Sequence, residues 1–140
     1  KLSFHPWAVS DGDGKMRMRQ RENKKGRKSN VMWTEISSHS NYNDSIEVPV
    51  FSVSSIMRKL NHSSINLIKI DIEGTEYQVI DHMIENKIFP KQILVEYHHR
   101  FNDKDKKMTQ NSLNNLRGSG YQIFSVSETG REIGLIRTDK

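Results

Sequence analysis

The feature that most constrains this chain is an apolar strand that runs directly into acidic residues and a glycine. It spans residues 66–76, which read NLIKIDIEGTE. Ligands of open α/β sheets bind beyond the carboxyl ends of the strands, where the chain turns into the next helix, and Asp71 stands at such an edge. Thr75, with Gln78 three residues later, is typical of a capping box, so a helix is predicted to begin at Glu76 with Thr75 as its N-cap.

Apolar periodicity predicts a mixed α/β chain. Strands are predicted over residues 2–9, 15–20, 31–36, 67–72, 92–97, 121–126 and 133–138, a short extended edge over 47–50, helices over 53–60, 76–86 and 109–117, and loops over 22–30 and 37–45. The second and third strands are expected to form an antiparallel pair. Strands that alternate with helices imply parallel pairing through right-handed crossovers, and the last two strands are expected to close the sheet as an antiparallel β-hairpin. The Asp-Gly pairs at 11–14 favour a hairpin turn.

The net charge of +5 comes from one segment. Residues 15–28, called the basic run below, contain eight of the 22 basic residues and a single acid, Glu22. The basic run is interpreted either as a contact for a phosphate or an anionic glycan or as a solvated hairpin. No aromatic residue interrupts it, so we expect no nucleic-acid partner.

Composition excludes several classes of protein. The sequence contains no cysteine, so it has neither a disulfide framework nor a thiolate metal site. No run approaches the roughly 18 apolar residues that a membrane span needs, and no signal peptide heads the sequence. We therefore expect no membrane contact and a cytoplasmic location.

Two blocks resemble the FkbM-type family of S-adenosylmethionine-dependent methyltransferases. Residues 68–76 (IKIDIEGTE), followed by Val79-Ile80, are similar to the family signature K-[IVM]-D-[IV]-E-G-x-E. Residues 93–99 (ILVEYHH) are similar to the next strand of the family, which often ends in an acidic residue and a histidine. In its order of elements the resemblance runs from about Leu2 to about Thr138, and it implies a Rossmann-like class I methyltransferase sheet.

One part of the family pattern is absent. Members begin with a strand and a glycine-rich turn that holds the methionine part of the cofactor, and a strand ending in an acid then holds the ribose. This sequence contains neither a GxGxxG nor a DxGxxxG pattern. We therefore interpret residues 1–140 as the C-terminal portion of a single methyltransferase domain, with a sheet that is incomplete at its N-terminus. The isolated fragment is expected to be inactive.

The resemblance implies transfer of a methyl group from S-adenosylmethionine to a hydroxyl oxygen of a sugar or a small metabolite. Such an enzyme aligns the nucleophile and removes its proton, so it needs an acid or a histidine beside the acceptor. Asp71 and Glu96 end neighbouring strands and can converge on one pocket, and His98 has the same strand parity as Glu96. We assign Asp71, Glu96 and His98 to catalysis, with His98 as the better general base because histidine titrates near neutrality.

The remaining acids of the segment have other interpretations. Glu73 is a further candidate for the pocket, whereas Glu76 is interpreted as a helix N-terminal charge that stabilises the macrodipole. Carboxylates from two strand ends suit Mg²⁺ or Ca²⁺, but the same pair suits a sugar or an amine substrate. No residue is assigned as a metal ligand.

A second resemblance places the cofactor. Residues 7–11 (WAVSD) are similar to the third-strand segment of the family, whose end lies against the adenine ring. We assign to S-adenosylmethionine binding the residues Trp7, Ala8, Val9, Ser10 and Asp71. Ser10 or Asp11 would supply the polar group for the exocyclic amine.

An alternative function belongs to a different class. The chain would then be a non-catalytic binding module in which the basic run recognises an anionic partner and the acids are structural. A sheet that lacks its first strands also exposes an unpaired edge. We expect that edge to be covered by the missing N-terminal half of the domain or by self-association, and the other partner to be a small-molecule or glycan substrate.

Overall fold

The computed structural model describes residues 2–22, 26–35, 44–98 and 106–138. The chain is mixed α/β, as predicted. Its elements are β1 (Ala8–Ser10), β2 (Gly14–Glu22), β3 (Lys28–Glu35), β4 (Ile46–Ser52), α1 (Val53–Lys59), β5 (Leu67–Ile70), α2 (Glu76–Glu85), β6 (Gln92–Glu96), α3 (Lys106–Gly118), β7 (Tyr121–Val126) and β8 (Glu132–Arg137). Most of the loop predicted over 37–45 lies outside the described residues. Within the described ranges, no helix is long and apolar enough to cross a membrane.

The strands form two four-stranded sheets rather than the single sheet that was expected. The first has the order β1-β4-β2-β3 and the second the order β5-β6-β8-β7. The pairs β1–β4 and β5–β6 are parallel, and the other pairs are antiparallel. The sheets are separate because, within the described residues, β5 is bordered only by β6. The parallel β5–β6 pair and the closing β7–β8 hairpin are confirmed, and a Rossmann-like arrangement stays a prediction.

The segment 47–50, predicted as an edge, belongs to a central strand. β4 pairs with β2 through residues 46–50 and with β1 through residues 50–52. Proline lacks the N–H that a ladder needs and therefore favours sheet edges. Pro49 is accommodated in β4 because pairing with β1 begins only at Val50.

The strand predicted over residues 2–9 is wrong for most of its length, since β1 begins at Ala8. Leu2 and Phe4 are 95% and 85% exposed, and the Trp7 N–H donates to the His5 carbonyl at 2.8 Å. This local turn takes the place of ladder pairing. The Asp-Gly turn at 11–14 is not a hairpin turn either, because the strands it connects, β1 and β2, each pair with β4.

The antiparallel pair predicted around the basic run is confirmed and is longer than expected. β2 extends to Glu22 and β3 begins at Lys28, and these two residues pair with each other. The loop predicted over 22–30 is therefore shorter, and residues 23–25 within it lie outside the described residues.

The main core lies where α2 and α3 pack with the second sheet. Val79, Ile80 and Met83 of α2 are at most 1% exposed, and Ile93 and Leu135 of the sheet are 0% exposed. These three residues form the buried apolar face of α2. It anchors the helix whose first turn carries part of the site.

Two buried tyrosines connect α3 to this core. The hydroxyl groups of Tyr77 and Thr109 lie 2.9 Å apart, as do those of Tyr97 and Ser112. Burial raises the pKa of the Tyr97 hydroxyl. These hydrogen bonds fix α3 against the carboxyl end of β6, because Tyr97 directly follows that strand.

Candidate active site

The parallel pair β5–β6 brings two acidic strand ends together. Ile70 and Val95 are partners in the register, so Asp71 and Glu96, the next residue in each case, stand side by side at the carboxyl edge. The convergence expected of these two strand ends is present.

Two residues in the left-handed region make the turn after β5. Glu73 has φ 55° and Gly74 has φ 110°, and a side chain at position 74 would be strained because L residues rarely adopt this φ. α2 begins at Glu76 as predicted, but the capping box is absent. The Thr75 hydroxyl donates instead to the Ile72 carbonyl at 3.3 Å.

His98 lies among three carboxylates, those of Asp71, Glu73 and Glu96, which are called the acidic cluster below. Its side chain is 4% exposed. The distances from His98 Nε2 are 3.9 Å to Asp71 Oδ1, 3.8 Å to Glu73 Oε2 and 3.8 Å to Glu96 Oε1. These separations exceed hydrogen-bond length. The three carboxylates therefore face His98 Nε2 without bonding to it directly.

The other ring nitrogen of His98 is held by Glu76. His98 Nδ1 lies 2.7 Å from Glu76 Oε1, and the Gly74 N–H donates to the same oxygen at 2.7 Å. Glu76 is 0% exposed, and its Oε2 is buried without a hydrogen-bond partner in the described part of the chain. Glu76 stands in the first turn of α2, as its interpretation as a helix N-terminal charge requires, but it is also buried and holds His98, which that interpretation did not include.

A sequence signal for the inward direction of Glu76 exists. Glu76 precedes Val79 and Ile80 by three and four residues, so all three lie on one face of α2. That face is the buried one. An acid at such a position needs an internal partner, and His98 supplies it.

Each acid of the cluster also faces a basic side chain. The distances are 3.2 Å for Lys69–Asp71, 3.8 Å for Arg21–Glu73 and 3.5 Å for Arg131–Glu96. Partly exposed pairs of this kind contribute little stability, typically below about 1 kcal/mol. They offset part of the negative charge of the cluster.

Three of these residues lie close enough to contact one cation. Asp71, Glu96 and His98 each offer a donor atom within 4.8 Å of the others, and opposite ligands of Mg²⁺ or Ca²⁺ lie about 4–5 Å apart. The geometry is compatible with a cation and does not require one.

The residues assigned to the cofactor do not all lie at this centre. Asp71 does, but four others lie on β1 or directly before it, in the first sheet: Trp7, Ala8, Val9 and Ser10. The Trp7 ring stacks on His5 at 4.4 Å and meets Phe51 edge-on at 5.2 Å. A half-buried tryptophan thus lies directly before β1, whereas the charged side chains lie at the carboxyl ends of β5 and β6.

Asp13, predicted only as part of a turn, has a structural role. Its carboxylate accepts from the Ser55 hydroxyl at 2.6 Å and from the Ser52 N–H at 2.9 Å. These hydrogen bonds hold the pKa of Asp13 below its usual value. Asp13 therefore ties the turn after β1 to the first turn of α1.

Side chains of the basic run contact other residues of this chain. Besides the Arg21–Glu73 pair, the ion pairs of the described residues of the basic run are Lys15–Glu47 at 2.7 Å, Arg19–Glu22 at 3.7 Å and Lys28–Asp44, and Arg17 donates to the Ser45 hydroxyl at 2.6 Å. Basic groups that already face internal acids attract an anionic partner less strongly. This pairing favours the solvated hairpin over an anion-binding surface.

Comparison with known proteins agrees with the two sequence blocks. The family model of the methyltransferase FkbM domain matches residues 6–123, a range that includes Trp7, the acidic cluster and His98. No curated protein and no solved structure matches the chain. The match covers most of the 140 residues, and the resemblance inferred from residues 68–76 and 93–99 is confirmed. The chain belongs to the FkbM family of methyltransferase domains.

Proposed function

We propose that this methyltransferase domain transfers a methyl group from S-adenosylmethionine to a hydroxyl oxygen, and that His98 removes the hydroxyl proton. The observation that supports this is the position of His98 Nε2, which lies 3.8–3.9 Å from three carboxylates at the edge where β5 and β6 end. A histidine fixed by a buried carboxylate is a suitable general base.

The described residues fit the charged end of S-adenosylmethionine. Asp71 and Glu96 carry negative charge at the sheet edge, and a sulfonium cation is favoured beside carboxylates. The half-buried Trp7 ring offers an apolar surface of the kind that adenine contacts. When bound, the cofactor supplies a methyl group whose carbon–sulfur bond breaks with its electron pair remaining on sulfur.

The chain's own residues then act on the acceptor. The acceptor O–H bond breaks, its proton bonds to His98 Nε2, and the electron pair of the oxygen takes up the methyl group. Asp71, Glu73 and Glu96 stabilise the resulting imidazolium, and Glu76 holds the opposite side of the ring at 2.7 Å.

The acceptor class follows from the hydrogen-bonding capacity of the cluster. Asp71 and Glu73 side chains are 39% and 37% exposed, and ionised carboxylates only accept hydrogen bonds. A molecule with several neighbouring hydroxyl groups can donate to them while one hydroxyl faces His98. A sugar or a polyhydroxylated small metabolite meets this requirement.

We further propose that an upstream segment completes the domain. β5 has a neighbour on one side only within the described residues, and an open strand edge favours addition of another strand. The glycine-rich turn that the sequence lacks would lie on such a segment. A binding module that uses the basic run is not favoured, because its described cations contact residues of the same chain.

The proposal is tested in the natural protein that carries the chain. The measurement is transfer of a labelled methyl group from S-adenosylmethionine to a panel of sugars and hydroxylated metabolites. Replacement His98→Asn is expected to lower the rate at least about 100-fold, the usual contribution of a general base. The exposed His62 lies in the loop after α1, and the matched change His62→Asn should leave the rate unchanged. Full activity of His98→Asn would contradict the assignment.

A further inference from the structure

We propose that Glu76 is a positioning residue that keeps His98 in one tautomer, with the proton on Nδ1 and an unprotonated Nε2 turned toward the acidic cluster. The catalytic use of this tautomer rests on the proposed function. The tautomer itself can be measured without any methyl acceptor.

The direction of the Glu76–His98 hydrogen bond follows from the ionised state of Glu76. That oxygen accepts from the Gly74 N–H at 2.7 Å and lies 2.7 Å from His98 Nδ1. An ionised carboxylate only accepts hydrogen bonds, so beside the ionised Glu76 it is His98 Nδ1 that carries the proton between them. In a neutral imidazole the second nitrogen, Nε2, is then unprotonated.

Burial makes this arrangement persistent. Glu76 is 0% exposed and His98 is 4% exposed, so water does not compete for the hydrogen bond between them. Charge-assisted hydrogen bonds of this kind are about twice as strong as neutral ones. Rotation of the ring would leave a buried carboxylate without its donor, which is unfavourable.

The local fold fixes Glu76 from both sides. The left-handed φ of Glu73 and Gly74 turns the Gly74 N–H toward the carboxylate, and the buried Val79 and Ile80 hold the same face of α2 in the core. Because the backbone fixes the Glu76 carboxylate, that carboxylate can orient the His98 ring, which follows β6. The structure therefore connects the turn after β5 with the end of β6 through one side chain.

The inference is tested by the nitrogen NMR spectrum of ¹⁵N-histidine-labelled natural protein, with the His98 signals identified by their loss in His98→Asn. Long-range proton–nitrogen correlations distinguish a protonated ring nitrogen from an unprotonated one. We expect a protonated Nδ1 and an unprotonated Nε2 for His98. A proton on Nε2, alone or together with one on Nδ1, would overturn the inference.

Two variants separate positioning from a merely structural role. Glu76→Gln keeps the shape and an acceptor oxygen but removes the charge, and it should lower kcat at least about 10-fold and up to about 10⁴-fold, the loss that follows when the carboxylate behind a catalytic histidine becomes an amide, with KM for the acceptor nearly unchanged. Glu85→Gln, an exposed position on the same helix, should change neither kcat nor the His98 spectrum. Unchanged kcat together with an unchanged His98 spectrum in Glu76→Gln would overturn the inference. Absence of methyl transfer in the wild type would instead remove the proposed function.

Discussion

The carboxylate of Glu76 joins α2 to His98 at the end of β6, with 2.7 Å between Oε1 and Nδ1 and with both side chains at most 4% exposed. One oxygen of this carboxylate also accepts the Gly74 N–H. A single buried side chain thus holds both the turn after β5 and His98, which follows the family signature in the chain. Its contribution to stability can be measured separately from its contribution to activity.

Replacement of Glu76 by alanine is expected to lower the free energy of unfolding by about 2–4 kcal/mol. The change leaves two buried donors, the Gly74 N–H and His98 Nδ1, without their acceptor, and each unsatisfied group costs about 1–3 kcal/mol. Urea denaturation followed by circular dichroism measures the loss. Glu85→Ala is the control and should stay within about 0.5 kcal/mol of wild type, as exposed substitutions usually do. An equal effect of both changes would contradict the buried hydrogen bonds.

Methyl transfer should persist after dialysis against EDTA, because the proposed base is His98 Nε2 and the proposed reaction uses no cation. The initial rate with labelled S-adenosylmethionine, before and after chelation, is the measurement. A loss of activity that Mg²⁺ or Mn²⁺ restores would show the opposite. In that case the donor atoms of Asp71, Glu96 and His98, which lie within 4.8 Å of one another, would serve as cation ligands.

Stability should decrease with rising pH above about 10 through the buried tyrosines. Burial raises the pKa of Tyr97, and it raises the pKa of Tyr121, whose hydroxyl donates to a carbonyl at 2.6 Å, to about 12. The unfolded chain loses these protons near pH 10 while the folded chain keeps them, so the free energy of unfolding falls by about 1.4 kcal/mol per pH unit for each such group. Urea denaturation at several values between pH 9 and 12 measures the slope.

The change Tyr97→Phe should reduce the pH dependence of the free energy of unfolding by the contribution of one tyrosine, about 1.4 kcal/mol per pH unit. Ser112→Ala removes the same hydrogen bond but leaves the Tyr97 hydroxyl in place, so it should keep most of the slope while lowering the overall stability. Identical slopes in wild type and Tyr97→Phe would show that titration of Tyr97 is not the cause.

In the closing hairpin, the Phe124 ring lies across Gly134. A methyl group at position 134 would come within 2.8 Å of Phe124 Cζ, and the ring, which is 55% exposed, must move aside, so Gly134→Ala should lower the free energy of unfolding by about 0.5–1.5 kcal/mol, the cost of a strained rotamer. In a Phe124→Ala background the same change should cost less than about 0.5 kcal/mol, and a double-mutant cycle in urea measures the coupling. Gly118→Ala, where nothing lies within 4 Å, should be neutral or stabilising. Simple additivity of the two changes in the cycle would contradict the contact.

The elements around the site were predictable because local signals agree there. The apolar strand before Asp71, the glycine at 74 and the apolar face of α2 specify strand, turn and helix within 20 residues, and the family signature names the same residues. Pairing partners were less predictable, because they depend on distant segments. β4 is central only because β1 and β2 both lie beside it, and nothing within residues 46–52 indicates this.

In the site, too, the features that depend on nearby residues were predictable, and the one that depends on residues far apart in the chain was not. Asp71, Glu96 and His98 could be named because they stand at or directly after strand ends. The role of Glu76 was missed because an acid in the first turn of a helix has a sufficient local explanation in the macrodipole. Only the placement of His98 beside it, 22 positions later in the chain, reveals the pair.

Calorimetry of S-adenosylhomocysteine binding tests the central claim most directly, with this chain alone and with the chain extended upstream in its natural protein. We expect the extended form to bind and this chain alone not to bind. In the extended form Asp71→Asn should weaken binding at least about tenfold, equivalent to 1.4 kcal/mol, and the exposed Asp81→Asn on α2 should not. If neither form binds, S-adenosylmethionine is not the methyl donor of this domain, and the assignment of Asp71, Glu96 and His98 as its catalytic residues fails with it.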